Sequence, residues 1–198
     1  EGRVQVCGRV LDSAALNVTS AMEVLVDGEK LPAAEPLRLW RYHKPPGLLT
    51  THDDPQGRRT LFDDLPKDCR HLLTVGRLDI NTEGLLLLTN DGGLKQRLEL
   101  PATGWTRRYR ARVFGSADPD KLARLSDGIT IDGIRYGAIN AKLERRTKAN
   151  AWMTVALKEG KKREVRLILE HFGLKVNRLI RTSYGPFQLG RLPPGAIS

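Results

Sequence analysis

One carboxylate, Asp79, has the sequence neighbours of a catalytic acid. It follows Arg77 and Leu78 in a short polar segment that runs into the four consecutive leucines of residues 85–88. That apolar run is too short to cross a bilayer and predicts a buried strand. A carboxylate at the mouth of a buried strand is held by rigid structure yet points away from it, as catalytic acids often do. The alternative is an ordinary turn or helix-capping role, because Asp is common in both.

Tyr109 lies among arginines at positions 107, 108, 110 and 112, in an alternation that predicts a strand with one basic face. An aromatic ring accepts an unstacked base on its face, which is worth roughly 1–3 kcal/mol per base. This pattern therefore predicts a stacking platform beside phosphate-binding arginines. A core aromatic residue beside a solvated basic face is an equally good interpretation.

The segment 159–166, Glu-Gly-Lys-Lys-Arg-Glu-Val-Arg, opens a stretch with the apolar spacing of an amphipathic helix. Its cations would surround a helix N-terminus, which itself favours anions. Arg166 falls on the inward side of this helix. There we expect it to keep the Asp79 carboxylate charged and aimed, since a close cation favours the charged form of an acid. An ordinary charged helix start is the alternative.

Composition narrows the class of partner. The 198 residues include 33 Lys and Arg against 23 Asp and Glu, a net charge of +10, which favours a nucleic acid. No apolar run is long enough to span a membrane and no signal peptide is evident, so we expect no membrane association.

Cys7 and Cys69 do not make a disulfide framework, and we expect reduced thiols in a cytoplasmic protein. No spacing of His and Cys predicts a zinc site.

The elements along the chain predict an α+β fold with a mixed, largely antiparallel sheet and flanking helices, because strands outnumber helices without βαβ alternation. Residues 1–35 predict a small β unit with a hairpin at Asp27-Gly28, and 32–36 a linker to a domain of residues 36–198. The chain begins at Glu1 rather than Met, so we expect part of the first unit to be missing. Helices are predicted over 94–98, 119–125 and 162–172, and a last strand over 176–180.

Several motifs, in this order, resemble the RsuA/RluB family of pseudouridine synthases, most closely the large-subunit RluB type. The resemblance runs from about Leu37 to the C-terminus, and its most specific block is Gly-Arg-Leu-Asp-Ile-Asn-Thr-Glu-Gly-Leu at positions 76–85. Residues 1–35 resemble the β half of an S4-type RNA-binding domain, without its helices. The other motifs are Lys44–Gly47, Thr89–Gly92, Arg108-Tyr109, Glu159–Arg166 and Leu179–Arg181.

The resemblance implies a pseudouridine synthase fold and the isomerisation of a specific uridine in ribosomal RNA, by base flipping and without a cofactor or metal. Asp79 would be the catalytic aspartate, Tyr109 the base-stacking residue and Arg166 the basic partner of the aspartate. Arg77 would replace the flipped base in the RNA. Arg107 stands where the family often has Lys, which keeps the charge but not the geometry. We also expect RNA contacts from Lys44, Arg107, Arg108, Lys161, Lys162, Arg163 and Arg181.

Alternatives remain open at this point. The substrate would be the large-subunit 23S rRNA or the small-subunit 16S rRNA, free or in a pre-ribosomal particle, and nothing in the sequence requires more than a monomer. Asp79 could attack the ribose or abstract a proton. A non-catalytic RNA-binding or ribosome-assembly factor would suit the basic charge equally. Convergence of Asp79, Tyr109 and Arg166 in one place would favour the enzyme, and their dispersal would favour the binding factor.

Overall fold

The computed structural model of the chain describes residues 2–13, 15–19, 21–31 and 35–198. It divides into two compact units, Glu1–Pro36 and Leu37–Ser198. Three residues of the predicted linker, Pro32, Ala33 and Ala34, lie outside the described residues. Our predicted domains, residues 1–35 and 36–198, stay a prediction, because compactness alone does not show that a unit folds independently.

The first unit is a sheet of four short strands, in the spatial order β2-β1-β3-β4 with antiparallel neighbours. The predicted hairpin at Asp27-Gly28 is confirmed: both residues have positive φ, 53° and 79°, as a two-residue turn between twisted strands requires. Val6 is its one buried hydrophobic residue among those described. The strands are β1 Val4–Val6, β2 Arg9–Val10, β3 Val24–Val26 and β4 Glu29–Lys30.

The second unit is built on one eight-stranded sheet with a separate two-stranded ribbon. Its spatial order is β11-β12-β8-β13-β7-β5, with β14 added to β13 and β6 added to β7. Only β13 and β7 are parallel, so the predicted mixed, largely antiparallel sheet is confirmed. The strands are β5 Leu39–Lys44, β6 Leu73–Val75, β7 Glu83–Thr89, β8 Arg107–Phe114, β9 Ile129–Ile131, β10 Ile134–Tyr136, β11 Ile139–Thr147, β12 Asn150–Leu157, β13 Lys175–Tyr184 and β14 Phe187–Gln188.

Four short helices flank this sheet: α1 Leu61–Asp64, α2 Gly92–Glu99, α3 Pro119–Ala123 and α4 Glu164–His171. Asp118 caps α3 as its sequence predicts, accepting bonds from the amides of Asp120 and Lys121. The prediction of a helix from residue 162 is wrong by two residues, because Arg163 adopts a left-handed backbone (φ 54°) that starts α4 only after it. In the described ranges, no helix is long and apolar enough to span a membrane.

Two predictions about other elements are also corrected. The strand predicted over 176–180 is longer, Lys175–Tyr184, and it is not the last, since β14 follows it. Helix α1 was not predicted from the sequence, because only four residues form it. Its signal is a capping box in which Thr60 and Asp63 bond each other's backbone amides.

The sheet has two faces that differ in what covers them. On the first, here called the helix face, Ala111, Val113 and Met153 pack against α4. On the opposite, outer face, Leu85 and Leu87 of β7 pack against α2 and the β14 region. The part of the outer face formed by β8, β12 and β11 has no such cover: residues 108, 110, 112 and 114 of β8 are all exposed. Strand β7 itself is buried along its whole length, which confirms the buried strand predicted from its leucines.

Candidate functional site

Asp79 lies in the loop of residues 76–82 that joins β6 to β7. Leu78 beside it is buried in the core on the helix face, Asp79 is partly buried, and Arg77 is exposed. The Thr82 amide donates to the Asp79 carbonyl at 2.9 Å and closes a tight turn. The loop therefore places the carboxylate at the boundary between core and solvent, where a substrate can meet it.

Every backbone carbonyl of the loop from Leu78 to Thr82 accepts at least one hydrogen bond. Five consecutive satisfied carbonyls leave the loop little freedom, so the Asp79 side chain is carried on a fixed backbone. Lys44 Nζ donates to three of these carbonyls, those of Asp79 (3.4 Å), Ile80 (3.2 Å) and Thr82 (3.0 Å). The backbone amides of Thr82 and Gly47 donate to the Asp79 and Ile80 carbonyls at 2.9 and 2.7 Å. Thr50 Oγ1 donates to the Leu78 carbonyl and Arg166 Nη2 to the Asn81 carbonyl, each at 2.9 Å.

Lys44, predicted to contact RNA, lies inside the protein rather than on its surface. Its side chain is fully buried, and its ammonium donates to carbonyls of the Asp79 loop and of Pro45. Burial lowers the pKa of Lys44 to about 8, against the opposing pull of the Asp79 and Glu83 charges. Lys44 is thus a positioning residue, and Gly47, three residues on in the same motif, holds the other side of the loop through Ile80.

Arg166 also holds the loop, by a route that differs from the predicted ion pair. It is buried in α4 and donates to the carbonyls of Asn81 and Val176, at 2.9 and 3.1 Å. Among the described residues, the Asp79 carboxylate has no ion pair. Burial and the nearby Arg163 charge lower the pKa of Arg166, while the negative charges of Asp79 and Glu170 oppose that shift. Arg166 and Asp79 are therefore close enough to interact electrostatically without touching.

A row of cross-strand partners connects Tyr109 to this loop. In successive strands Tyr109 of β8 lies opposite Arg181 of β13, Arg181 opposite Gly84 of β7, and Gly84 opposite Lys44 of β5. Strands lie roughly 4.8 Å apart, so Tyr109 is about two strand spacings from the start of β7. The Tyr109 ring is partly buried and packs against both clusters of the helix face, one of which contains Leu78.

The predicted RNA contact Arg181 is also buried. Its Nε donates to the Leu85 carbonyl at 2.7 Å and its guanidinium lies 5.2 Å from the centre of the Tyr184 ring. It joins β13 to β7 at the point where their backbones come closest. Gly84 permits that approach, because a Cβ at this position would lie 2.3 Å from the Arg181 carbonyl oxygen.

The remaining predicted RNA contacts divide between free and engaged cations. Arg77 and Lys162 are exposed and have no hydrogen bond or ion pair to any residue that the structure describes. Arg163 is exposed with Glu170 at 4.0 Å. Lys161 is engaged: it pairs with Glu159 and donates to the Arg135 carbonyl. Arg77 and Lys162 are therefore available to an incoming polyanion.

Arg107 and Arg108, predicted together as RNA contacts, point to different surroundings. Arg107 donates to the carbonyls of Trp105 and Lys158 and lies 4.9 Å from the centre of the Tyr184 ring, so its charge is used within the protein. Arg108 is exposed on the outer face. Because successive side chains of a strand point to opposite faces, Arg108 lies across the sheet from Tyr109.

Two acidic residues near the site were missed by sequence reasoning. Glu83, the first residue of β7, forms a two-pronged ion pair with Arg178 at 2.7 and 2.9 Å. Glu164, the first residue of α4, is buried and accepts from the Lys161 amide at 2.9 Å. Burial raises the pKa of Glu164 to about 7. An acidic residue three positions after a helix-opening Lys was the available signal, because it resembles a capping pair.

Two surface cavities lie away from the Asp79 loop. One, of about 290 Å³, is lined by residues around Gly115, Arg146 and Lys148; the other, of about 300 Å³, lies between Lys121, Leu125 and Phe172. Neither contains Asp79, Tyr109 or Arg166.

Comparison with known proteins agrees with this geometry. The family model described as RNA pseudouridylate synthase matches residues 38–171. A Rickettsia bellii protein described as an uncharacterized RNA pseudouridine synthase is 47% identical over 98% of this chain and 84% of its own length. The ribosomal large subunit pseudouridine synthase B of Yersinia pestis is 41% identical over 98% of this chain and 64% of its own length.

A solved structure, the crystal structure of a pseudouridylate synthase, superposes with a TM-score of 0.73 at 25% identity. It covers 100% of this chain and 84% of that chain. The fold that the resemblance implied is thereby confirmed. The S4-like character of residues 1–35 is not tested by this match and stays a prediction.

Proposed function

The chain belongs to the family of RNA pseudouridylate synthases, and we propose that it isomerises a uridine of large-subunit ribosomal RNA to pseudouridine, with Asp79 as the catalytic residue. The observation that carries the proposal is the anchored loop. Asp79 is partly exposed, and the five backbone carbonyls from Leu78 to Thr82 all accept hydrogen bonds. Two of the donors, Lys44 and Arg166, are buried cations.

The substrate uridine must leave its RNA helix to reach Asp79, at a cost of a few kcal/mol. Arg77 lies two residues before Asp79, is exposed and has no partner in the part of the chain that the structure describes. It fills the place that the flipped base leaves in the RNA. Tyr109, held by two hydrophobic clusters, takes the extruded uracil on its ring face. Stacking of this kind contributes roughly 1–3 kcal/mol per base, which offsets much of the cost of flipping.

The chemistry then requires one acid and no water. The bond between uracil N1 and ribose C1′ breaks, the uracil turns, and its C5 bonds to C1′. C5 loses a proton and N1 gains one, so the reaction is a balanced isomerisation. Cleavage of a glycosidic bond develops positive charge on the ribose. A carboxylate beside the sugar stabilises that charge, attacks the ribose, or removes a proton from it, and all three roles need Asp79 fixed and charged.

Lys44 and Arg166 hold the Asp79 loop in place. Both are buried, both donate to carbonyls of the loop, and both place positive charge near Asp79. Together they hold the backbone of Asp79 in place before the substrate arrives, an arrangement that lowers the reaction barrier because the site need not reorganise.

Ribosomal RNA as the substrate class rests on relatives that carry that name and on the basic charge of this chain. We propose a monomer that acts on free rRNA or on a pre-ribosomal particle in the cytoplasm. Arg77, Lys162 and Arg163 provide the exposed cations beside the catalytic loop and would bind phosphates there.

The test is Asp79→Asn, compared with Asp68→Asn, which changes an exposed acid in a short helical turn elsewhere in the unit. The substrate is rRNA from cells that lack this protein. We expect wild type and Asp68→Asn to form pseudouridine, and Asp79→Asn to bind the RNA with unchanged affinity and form none. Modification is read by mapping pseudouridines along the RNA.

Two results would contradict the proposal. Turnover by Asp79→Asn at a rate near that of wild type would remove Asp79 from the catalytic role. RNA binding without pseudouridine formation by wild type, on both free rRNA and ribosomal particles, would favour a non-catalytic assembly factor.

A further inference from the structure

The uncovered part of the outer face carries six cations that the proposed reaction does not use. We call this surface the basic sheet face: Arg108, Arg110 and Arg112 of β8, Lys142 and Arg145 of β11, and Arg178 of β13. We propose that it binds the phosphate backbone of a second RNA segment, separate from the segment that carries the target uridine. This inference rests on the proposed function and extends it to a further contact with the substrate.

Strand register places these cations in rows. In one row, Arg112 lies opposite Trp152 on one side, with Arg145 beyond it, and opposite Arg178 on the other. In the next row, Arg110 lies opposite Thr154, with Lys142 beyond. Neighbouring strands are roughly 4.8 Å apart and alternate residues roughly 7 Å apart. The cations therefore cover a flat area about 14 Å on a side, which is the scale of a few backbone phosphates.

This arrangement works against the stability of the fold. Arg112 and Arg178 are direct cross-strand partners, and like charges in that relation destabilise a sheet. The protein offsets only part of the charge, since Glu144 pairs with Arg110 and Glu83 with Arg178. Arg108, Arg112, Lys142 and Arg145 have no side-chain hydrogen bond or ion pair to another described residue. A cost in stability at an exposed surface is expected where the surface serves binding.

Aromatic side chains are interleaved with these cations. Trp152 lies among them with the Arg110 guanidinium 4.5 Å from its ring centre, and Phe114, at the end of β8, is 51% exposed. Cations mixed with exposed aromatic rings suit RNA, which offers both phosphates and bases. We take RNA as the occupant because the chain belongs to a family of RNA pseudouridylate synthases and because four of the six cations have no acidic partner in the described part of the chain.

The segment bound here differs from the one at the catalytic loop. Tyr109 points to the helix face, and Arg108 and Arg110 on either side of it point to the outer face. A single RNA helix entering beside Asp79 does not pass through the sheet. A folded ribosomal RNA can present a second helix to the other side, where phosphate contacts fix orientation without reading sequence.

The experiment uses the full chain with the substitutions R112Q/K142Q/R145Q, which remove three charges and no ion pair. The matched control, K67Q/K121Q/R124Q, removes three exposed charges from other elements of the same unit. A charge-conserving variant, R112K/K142R/R145K, controls for folding. Each is titrated with a short G·C RNA duplex that contains no uridine, at several salt concentrations, and is assayed for pseudouridine formation on rRNA from cells lacking this protein.

We expect R112Q/K142Q/R145Q to bind the duplex about tenfold more weakly and to lose about two to three units of salt slope, because each of up to three lost phosphate contacts contributes nearly one. The charge-conserving variant and the matched control should keep the wild-type slope. At saturating rRNA the rate of pseudouridine formation should not change, since Asp79 and Tyr109 are untouched.

Three outcomes would overturn the inference. Equal duplex affinity and slope in R112Q/K142Q/R145Q and wild type would remove this face from RNA binding. An equal loss in the matched control would show that net charge alone acts. An equal loss of duplex affinity in the charge-conserving variant R112K/K142R/R145K would show that disturbed packing, and not lost charge, weakens binding. Failure of the proposed function looks different: wild type would form no pseudouridine, while the duplex titrations would still differ between variants.

Discussion

At the scale of single residues, the site depends on cations that support it from inside. Lys44 and Arg181 stand in motifs whose charge predicted contact with RNA, yet both are buried and bond to backbone carbonyls. A sequence shows that a residue is charged, but not whether tertiary structure encloses it. Arg77 and Asp79 were easier to interpret, because the buried leucines that follow them fixed their place at the start of a strand.

Lys44 has a pH dependence that distinguishes a buried support from a surface contact. Burial lowers its pKa from 10.5 to about 8, so between these values the unfolded chain binds the proton more tightly than the folded one. Stability then rises with pH. We expect the free energy of unfolding of wild type, minus that of Lys44→Met, to rise by up to about 3 kcal/mol between pH 8 and 10.5. Denaturant unfolding at a series of pH values measures it.

The same variant tests whether Lys44 positions Asp79. Lys44→Met leaves the Thr82 carbonyl without a donor and removes one of the two donors to each of the Asp79 and Ile80 carbonyls. Asp79 can then shift, which we expect to lower kcat on the order of 100-fold with RNA affinity unchanged. Lys67→Met, an exposed control, should change neither kcat nor the pH profile. A pH-independent stability difference between wild type and Lys44→Met would show that Lys44 is not enclosed as the structure has it, and a loss of affinity equal to the loss of kcat would make Lys44 an RNA contact.

At the scale of elements, the active loop depends on how closely β7 and β13 approach. Their parallel contact is short: Ile180 pairs with Glu83, and Arg181 pairs with Gly84. Strand β7 begins directly after the loop that carries Asp79. Alternation predicted the strands from their side chains. It could not predict the parallel pairing of segments nearly a hundred residues apart, nor the left-handed Arg163 that moves the start of α4. The pairing of β7 with β13 depends on backbone contacts between distant segments.

Gly84→Ala tests that approach. The added Cβ would meet the Arg181 carbonyl oxygen at 2.3 Å and its amide nitrogen at 2.6 Å, at a φ of +108°. Both atoms belong to the backbone, so the strands must part, and we expect a loss of more than about 3 kcal/mol of unfolding free energy. Gly190→Ala, also at positive φ (+60°) but with nothing within 4 Å, should cost only about 1–2 kcal/mol. Equal thermal-unfolding midpoints for Gly84→Ala and Gly190→Ala would show that the close approach of β7 and β13 does not require glycine at position 84.

At the scale of the whole molecule, charge is divided unevenly between the two units. Glu1–Pro36 contains three basic residues and six acidic ones, so the surplus of positive charge belongs to Leu37–Ser198. Arg3 pairs with Asp27 and Lys30 with Glu23, which leaves Arg9 as the unpaired cation among the described residues of the first unit. A resemblance to the β half of an S4-type RNA-binding domain implied affinity for RNA, but the charges provide little electrostatic basis for it.

Deletion of residues 1–36 would test whether the first unit binds RNA, as the resemblance implied, or does not, as its charges indicate. The remaining chain, Leu37–Ser198, holds nearly all the buried hydrophobic residues and every proposed catalytic residue. We expect it to fold, to form pseudouridine at an unchanged saturated rate, and to lose less than one unit of salt slope in RNA binding, because at most one free cation is removed. The matched variant is Arg9→Gln in the full chain, which should reproduce any small loss. A loss of affinity of more than about tenfold on deletion, without the same loss in Arg9→Gln, would mean that the first unit recognises RNA through contacts other than charge, as an S4-like unit would.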